Sequence, residues 1–344
     1  MSSNKAAWIK TRYGPIEVEA VELWAPERGE VLVRNEAISF NPIDAKIQRL
    51  DMFKSEYPLI GGFTFAGTVI KTGPEVASVK PGDRVAIARW GRAAIESRFG
   101  AFQQYAIGLE QNLLRLGPET SLEVGASVIA NLSTVVSALT IHMGLSKPPV
   151  AGSSEPNGKR IFIYGGSSAV GGLAVKYATD AGYHVVTTSS PRNRELVEKR
   201  KAAHIIDHTQ PREDLIREVQ AHGPYEGMLD SIASPATTKF MGELLQETGG
   251  LFFSTGPTSE DSALPGNVQK KWSAYSEALI SEASNSGLRN WYLKSYLPAA
   301  VKSGEVWPNP PLKLEGGLDA VQRALDLLYE GKVSGSKVVV NPFD

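Results

Sequence analysis

Ile161-Phe162-Ile163-Tyr164-Gly165-Gly166-Ser167-Ser168-Ala169-Val170-Gly171-Gly172 decides the fold of this 344-residue chain. Four apolar, β-forming residues come first, followed by a run made almost wholly of Gly, Ser and Ala. Leu173, Ala174, Tyr177, Ala178 and Ala181 then recur at helical spacing. The pattern predicts a buried parallel strand, a tight turn and a helix packed closely on the strand. Such a turn leaves backbone N–H groups free at a helix N-terminus, where the helix dipole favours negative charge. Small residues let a pyrophosphate reach that backbone. An ordinary tight βα turn can use the same residues, but the order of strand, glycine turn and helix favours binding. The cradle residues are then Gly165, Ser167, Ser168, Ala169 and Val170.

Downstream, strand and helix alternate. His184 to Thr188, His204 to Ile206, Gly227 to Asp230 and Leu251 to Ser254 read as strands, and Val268 to Ala274 as a sixth. Arg192 to Arg200, Arg212 to His222 and Ala236 to Glu247 read as the intervening helices. This alternation predicts an α/β Rossmann fold, a doubly wound parallel sheet.

The end of the second strand distinguishes the nucleotides. A unit that binds NAD usually places an acid there to accept the ribose hydroxyls. Here the end reads Thr187-Thr188-Ser189-Ser190-Pro191-Arg192-Asn193-Arg194, with no carboxylate before Glu195. Hydroxyls and guanidiniums suit a 2′-phosphate, so Ser189, Ser190, Arg192 and Asn193 point to NADPH. Ser190 with Pro191 also fits a helix N-cap, and the two roles are compatible.

Upstream, residues 1 to about 125 read as β-rich. Ile16 to Leu23 alternates, and Val31 to Arg34, Gly67 to Ile70, Arg84 to Ala88 and Phe102 to Ile107 are strand-like runs between Gly/Pro turns. They predict a small barrel-like unit. Trp90 to Gly100 is polar and irregular and reads as a mobile loop. After Pro118, Leu122 to Ala130 and Thr134 to Met143 read as two helices, with Thr134 opening the second. Leu293 to Lys302 and Leu318 to Tyr329 are amphipathic helices, and Lys337 to Val340 is a closing strand. Periodicity does not assign these last elements to either unit.

Composition narrows the function. Apolar residues at 42% and charged residues at 21% are ordinary for a globular protein. A net charge of −1 supplies no field to draw nucleic acid or a membrane surface. The absence of cysteine removes disulfides, thiolate zinc sites and cysteine nucleophiles. Met1 to Lys5 lacks a signal-peptide core, and no run reads as a bilayer span, so a cytoplasmic location is expected.

A resemblance covers nearly the whole chain. Ser39-Phe40-Asn41-Pro42-Ile43-Asp44-Ala45-Lys46, Gly61-Gly62-Phe63-Thr64-Phe65-Ala66-Gly67-Thr68-Val69, Lys80-Pro81-Gly82-Asp83-Arg84-Val85, Gly165 to Gly172 and Gly331 to Lys337 are similar to the medium-chain dehydrogenase/reductase superfamily. Asn-Pro-x-Asp-x-Lys, Gly-Gly-Ser-Ser and Ser-Pro-x-Asn further resemble the trans-acting enoyl reductases of fungal polyketide biosynthesis. The resemblance implies a GroES-like catalytic domain over 1–130 and 285–344, interrupted by a Rossmann domain over 131–284. It implies catalytic roles for Lys46, which could polarise the enolate oxygen, donate a proton or hold a ribose or phosphate, and for Thr134, beside the nicotinamide. It adds Ser231, Thr255, Gly256, Ser336 and Lys337 to the cofactor set, with Lys337 closing over the cofactor. Plainer roles exist: Lys46 as a solvated lysine, Thr134 as an N-cap, Lys337 as a strand-edge charge, and Asp44 as a structural partner of Lys46 or of a neighbouring strand.

The departures from the superfamily's zinc enzymes are specific. The first motif has no Cys, Phe63-Thr64 replaces the His-Glu pair, and the structural-zinc lobe is missing. The histidines, at 142, 184, 204, 208 and 222, supply no ligand set. Without a Lewis acid, reducing a conjugated C=C is easier than oxidising an alcohol. The expectation is a zinc-free, NADPH-dependent enoyl reductase acting on an α,β-unsaturated acyl group, free or carrier-bound, with a transient polyketide synthase partner. A quinone or enone reductase and an NADPH-binding partner or cyclase protein without hydride transfer are the alternatives. The loops Trp90 to Arg98 and Pro257 to Asn267 read as pocket walls, and the chain as a monomer or homodimer.

Overall fold

A computed structural model describes residues 4–257 and 263–344. The chain packs as two compact units, Met1–Ala130 with Leu293–Asp344, and Asn131–Tyr292. The return to the first unit falls at Leu293 rather than at 285, because α7 (Tyr275–Ser281) and α8 (Ser286–Trp291) pack on each other within the second unit.

In chain order the first unit contains β1 (Asn4–Ile9), β2 (Ile16–Val21), β3 (Glu30–Ser39), α1 (Pro42–Leu50), β4 (Leu59–Ile60), β5 (Thr64–Thr72), β6 (Arg84–Ala88), β7 (Tyr105–Leu109) and β8 (Leu113–Arg115). The second contains β9 (Arg160–Tyr164), α3 (Ala169–Asp180), β10 (His184–Ser189), α4 (Arg194–Glu198), β11 (His204–Asp207), α5 (Arg212–Ala221), β12 (Gly227–Asp230), α6 (Pro235–Leu244), β13 (Gly250–Ser254) and β14 (Val268–Lys271). After α9 (Leu297–Ser303), the chain ends with β15 (Pro311–Lys313), α10 (Ala320–Tyr329) and β16 (Lys337–Val340).

The second unit carries a six-stranded parallel sheet in the order β11-β10-β9-β12-β13-β14. The direction of winding reverses between β9 and β12, the place where doubly wound sheets bind ligands at the carboxyl ends of their strands. Phe162, Val186, Ile206 and Phe252 from the strands pack with Leu215, Val219, Phe240 and Met241 from the helices. Strands buried on both faces explain why these segments read as continuous apolar runs.

The first unit carries a three-stranded sheet, β2-β1-β4, and a seven-stranded sheet, β15-β16-β3-β5-β6-β8 with β7 paired to β3. Val338 and Val340 of β16 and Val321 and Leu325 of α10 share one core with Val31, Val33, Phe65 and Val85. That shared core settles the place of the C-terminal elements, which periodicity left open.

Two further expectations are corrected. Leu122 to Met143 is not two helices. α2 (Leu122–Val136) runs without a break into a π-helical turn, Ser137–His142, and the unit boundary falls inside it, between Ala130 and Asn131. The polar residues that read as a break are accommodated: Ser133 is fully buried and bonds Ser276 at 2.8 Å. This helix of 21 residues is also apolar enough to pass for a membrane span, but most of it is buried within the protein, as in a core helix.

Trp90 to Gly100 is not a loose loop. Trp90 and Phe99 are buried, and Gln103 Nε2 donates to the carbonyls of Ser97, Arg98 and Gly100. Arg98 forms ion pairs with Glu27, Glu96 and the fully buried Glu30. Of the other expected pocket wall, Pro257 to Asn267, residues 258–262 lie outside the described residues. Arg98→Ala would leave the Glu30 carboxylate buried without its guanidinium, and breaking a buried pair from one side costs about 3 kcal/mol. Urea unfolding is expected to show a loss of that order, whereas a change of a few tenths would mean that the pair does not anchor the loop.

Candidate active site

The glycine turn is built as its sequence requires. Gly165 sits at φ +86°, a conformation that side-chain-bearing residues rarely adopt. A Cβ on Gly171 would stand 2.2 Å from the Gly165 carbonyl oxygen, so α3 can approach β9 only without one. Ser168 is the N-cap of α3 and accepts from the Gly171 N–H at 2.9 Å. Ala169 and Val170 open the helix, and first-turn N–H groups have no acceptor within a helix. Neighbouring strands brace the turn. Gly165 N donates to Thr188 Oγ1 at 2.9 Å and Gly166 N to the Thr188 carbonyl at 2.9 Å. Ser231 Oγ bonds Ser168 Oγ at 2.9 Å and donates to the Tyr164 carbonyl at 2.7 Å. Ser167 is half-buried, and Thr255 N donates to the Asp230 carbonyl at 3.0 Å, placing Thr255 and Gly256 beyond the next strand end. A rigid turn with open N–H groups fits the pyrophosphate of a dinucleotide.

At the end of β10, Ser189 and Ser190 are buried and Arg192 is exposed. Ser190 precedes a three-residue 3-10 turn, Pro191–Asn193, rather than the expected α-helix, which begins only at Arg194. Ser190 stands at the N-cap position of that turn, with Pro191 following it as expected, but its hydroxyl makes no capping bond. Asn193 N donates to the Ser190 carbonyl at 3.0 Å. Arg194 is engaged elsewhere, on Glu198 and the Ile205 carbonyl. Ser189 faces Asp207 across the β10–β11 pair, and His208 N donates to the Ser189 carbonyl at 3.3 Å.

In the first unit, Asn41 is the N-cap of α1, with Pro42 at the first helical position. Its N–H donates to Asp44 Oδ2 at 2.7 Å. Lys337 is buried and donates from Nζ to Asn41 Oδ1 at 2.5 Å, so it is not a strand-edge charge. Ser336 beside it is half-buried. Burial pulls the Lys337 ammonium down to about 7 against the pull of Asp44. Burial pushes Asp44 up to about 6, opposed by the Asn41 N–H and by the Lys337 and Arg89 charges. Asp44 therefore belongs to this cluster and does not pair with Lys46. Lys46 is half-buried, has no ion pair among the described residues, and is held below the ordinary lysine range by burial.

Thr134 is an interior residue of α2, not an N-cap, and its hydroxyl lies 3.0 Å from Ser276 Oγ. Sequence reasoning missed two buried charges. Arg89 donates to the carbonyls of Ala93, Ile60, Gly62 and Glu96, holding the double-glycine segment and the following loop together. Asp230 accepts from Ile232 N, Ala233 N and Thr237 Oγ1, and so holds Ala233 at φ +57° just after the switch-point strand. A lone Arg or Asp at a strand end carries no spacing signal that would reveal either role. Among the described residues, no group of three or more His, Asp or Glu side chains is placed to hold a metal ion.

The alcohol dehydrogenase GroES-like domain family matches residues 27–118. The chain is 32% identical over 342 residues to a trans-enoyl reductase, himH, of Aspergillus japonicus, covering 98% of this chain and 97% of that one. It is 30% identical to cipB of Emericella nidulans, named a zinc-binding alcohol dehydrogenase domain-containing protein, over 98% of both chains. Its fold is similar to the crystal structure of an alcohol dehydrogenase superfamily protein from Novosphingobium aromaticivorans, with a TM-score of 0.77, 21% identity and coverage of 98% and 99%.

The buried charges give the chain a pH signature. The ordinary value for lysine is 10.5, and Lys337 titrates near 7 when folded. Between these values the unfolded chain holds a proton that the folded chain has shed, so stability rises with pH across the window. Asp44 acts in the opposite sense and lower, losing stability as pH rises from 3.8 to about 6. Relative to Lys337→Met, the parent protein should gain unfolding free energy from pH 7 to pH 9, by at most about 1.4 kcal/mol per unit. Paired urea titrations read this difference, and a flat or falling one contradicts the assignment.

Proposed function

Because this chain belongs to the trans-enoyl reductase family of the medium-chain dehydrogenase/reductase superfamily, we propose that it is an NADPH-dependent enoyl reductase that saturates an α,β-unsaturated acyl group without a metal. The observation that carries this reading is Lys46, a half-buried cation on α1 with no ion pair among the described residues. An unpaired cation in a partly desolvated place stabilises negative charge that develops nearby, and enolate formation from an enoyl thioester develops it on the carbonyl oxygen. Lys46 then donates to that oxygen. Thr134, in the hydroxyl cluster with Ser133 and Ser276, orients substrate or cofactor.

The cofactor would be held by the Ser168-capped turn, with Gly165, Ser167, Ala169 and Val170 at the pyrophosphate and Ser231, Thr255 and Gly256 beyond it. Ser189, Ser190, Arg192 and Asn193 would take the 2′-phosphate, and Ser336 and Lys337 complete the proposed set. When bound, the nicotinamide supplies the hydride. An enolate-stabilising ammonium makes a Lewis acid unnecessary, consistent with a chain that has no cysteine. The acyl group is proposed to arrive on the carrier of a polyketide synthase, in transient contact. A chain of net charge −1 fits weak docking without strong steering.

For the cofactor, NADPH should bind at least about tenfold tighter than NADH, some 1.4 kcal/mol. Ser190→Asp should reverse that order by repelling the phosphate. Equal affinities for the parent protein, read by fluorescence titration, would remove the NADPH assignment.

For the chemistry, NADPH oxidation followed at 340 nm in EDTA should show higher kcat/KM for an enoyl thioester on pantetheine than for a free quinone or enone. Lys46→Ala should lower kcat by about 10²-fold, the usual cost of removing a preorganised donor. Preference for the free quinone or enone, or loss of turnover in EDTA, would overturn the reading.

A further inference from the structure

We propose that Lys337 is a positioning residue: through its hydrogen bond to Asn41 it fixes the first turn of α1, and so sets where the Lys46 side chain stands. The role given to Lys46 in turnover rests on the enoyl-reductase reading; the mechanical link does not.

The link is continuous. β16 pairs with the end of β3, with Val339 opposite Ser39, and Phe40 N donates to the Val338 carbonyl at 3.0 Å. The chain then enters α1 through Asn41, whose side-chain amide is held at both ends. Oδ1 accepts from Lys337 Nζ at 2.5 Å, and Nδ2 faces Thr64 Oγ1 at 3.3 Å and the Ser39 carbonyl at 3.4 Å. With Lys337 Nζ donating on one side and the Ser39 carbonyl, which can only accept, on the other, the oxygen points to Lys337 and the amide has one orientation. Asp44 closes the turn by accepting the Asn41 N–H.

The other end of α1 is tied separately. Gln48 Nε2 donates to the Gly14 carbonyl at 3.0 Å and to Gln322 Oε1 at 2.9 Å. Lys46 lies between the two ties on a nine-residue helix. An apolar side chain in place of Lys337 would avoid the cost of desolvating an ammonium. What the Nζ donor adds is direction: it selects one rotamer of the cap and hence one entry angle for the helix. Arg89 and Asp44 are the charged groups that act on this cluster.

The test reads Lys46 directly. Competitive acetylation across pH, quantified by mass spectrometry of the Lys46 peptide, gives its apparent pKa in the folded protein without any assay of turnover. Lys337→Met and Asn41→Ala, each checked by circular dichroism, should raise that value by about half a unit as the helix start loosens and Lys46 gains solvent. Asn41→Ala removes the acceptor of Lys337 Nζ while leaving Lys337 itself in place, and keeps the test available if Lys337→Met does not fold. In kinetics at saturating NADPH, both variants should lower kcat about tenfold with the KM for the acyl substrate moving less than about twofold. Lys337→Arg should recover part of the loss, and Lys337→Met in a Lys46→Ala background should add nothing.

An unchanged Lys46 titration in a folded variant overturns the proposal. So does a loss confined to NADPH affinity, which would make Lys337 a cofactor clamp alone. If the titration shifts while Lys46→Ala turns over like the parent, the positioning stands and the catalytic reading of Lys46 fails.

Discussion

A methyl group on Gly171 would stand 2.2 Å from the carbonyl oxygen of Gly165. That contact sets how closely α3 lies on β9, and the geometry of the glycine turn follows from it. The helix start is brought onto the strand end, so its free N–H groups converge at one place. Ser168 caps the helix, Ser231 ties the cap to the strand, and Thr188 holds the turn from the neighbouring strand. Each of these hydroxyls satisfies a buried backbone or side-chain polar group that would otherwise cost free energy. The turn is therefore rigid before any ligand arrives, which is what anion binding by a helix start needs.

The β-rich unit solves a different problem, fastening irregular segments to a sheet. It uses buried cations. Arg89 gathers four carbonyls from the double-glycine segment and the loop beyond it, and its guanidinium stays charged although burial lowers it to about 10. Lys337 directs the cap of α1, and Arg98 ties the loop to Glu30. A guanidinium offers five donors in fixed directions, which suits several carbonyls at once. A single ammonium suits one amide oxygen.

These two kinds of construction suit the enoyl-reductase reading. The glycine turn is made rigid by close backbone packing, and the helix that presents Lys46 is made rigid by a polar strut. Lys46 itself is left without an ion pair among the described residues. A cation meant to meet transient charge is useful only if no permanent carboxylate neutralises it, and Asp44, two residues away, is engaged by Asn41.

Local chemistry made much of the fold legible from residues alone. Gly-Gly-Ser-Ser between an apolar run and a helical pattern needs positive φ and close approach, and only one common arrangement supplies both. Arg84 to Ala88, Gly227 to Asp230 and Lys337 to Val340 were readable to the residue because turn residues bound each run. The carboxylate-free end of β10 was equally plain, since it depends on side-chain type and not on contacts. Tertiary structure decided the rest. Ser133 and Thr134 read as a helix break, because isolated polar residues favour caps; Ser276 from α7 satisfies both and lets α2 continue. Trp90 to Gly100 reads as loose until Arg98 finds Glu30, which lies 68 residues earlier in the chain. Lys337 reads as a surface charge until β16 pairs with β3 and places it under Asn41, 296 residues away. Spacing along a sequence reports neighbours within one element, whereas a buried charge is defined by partners that only folding brings together.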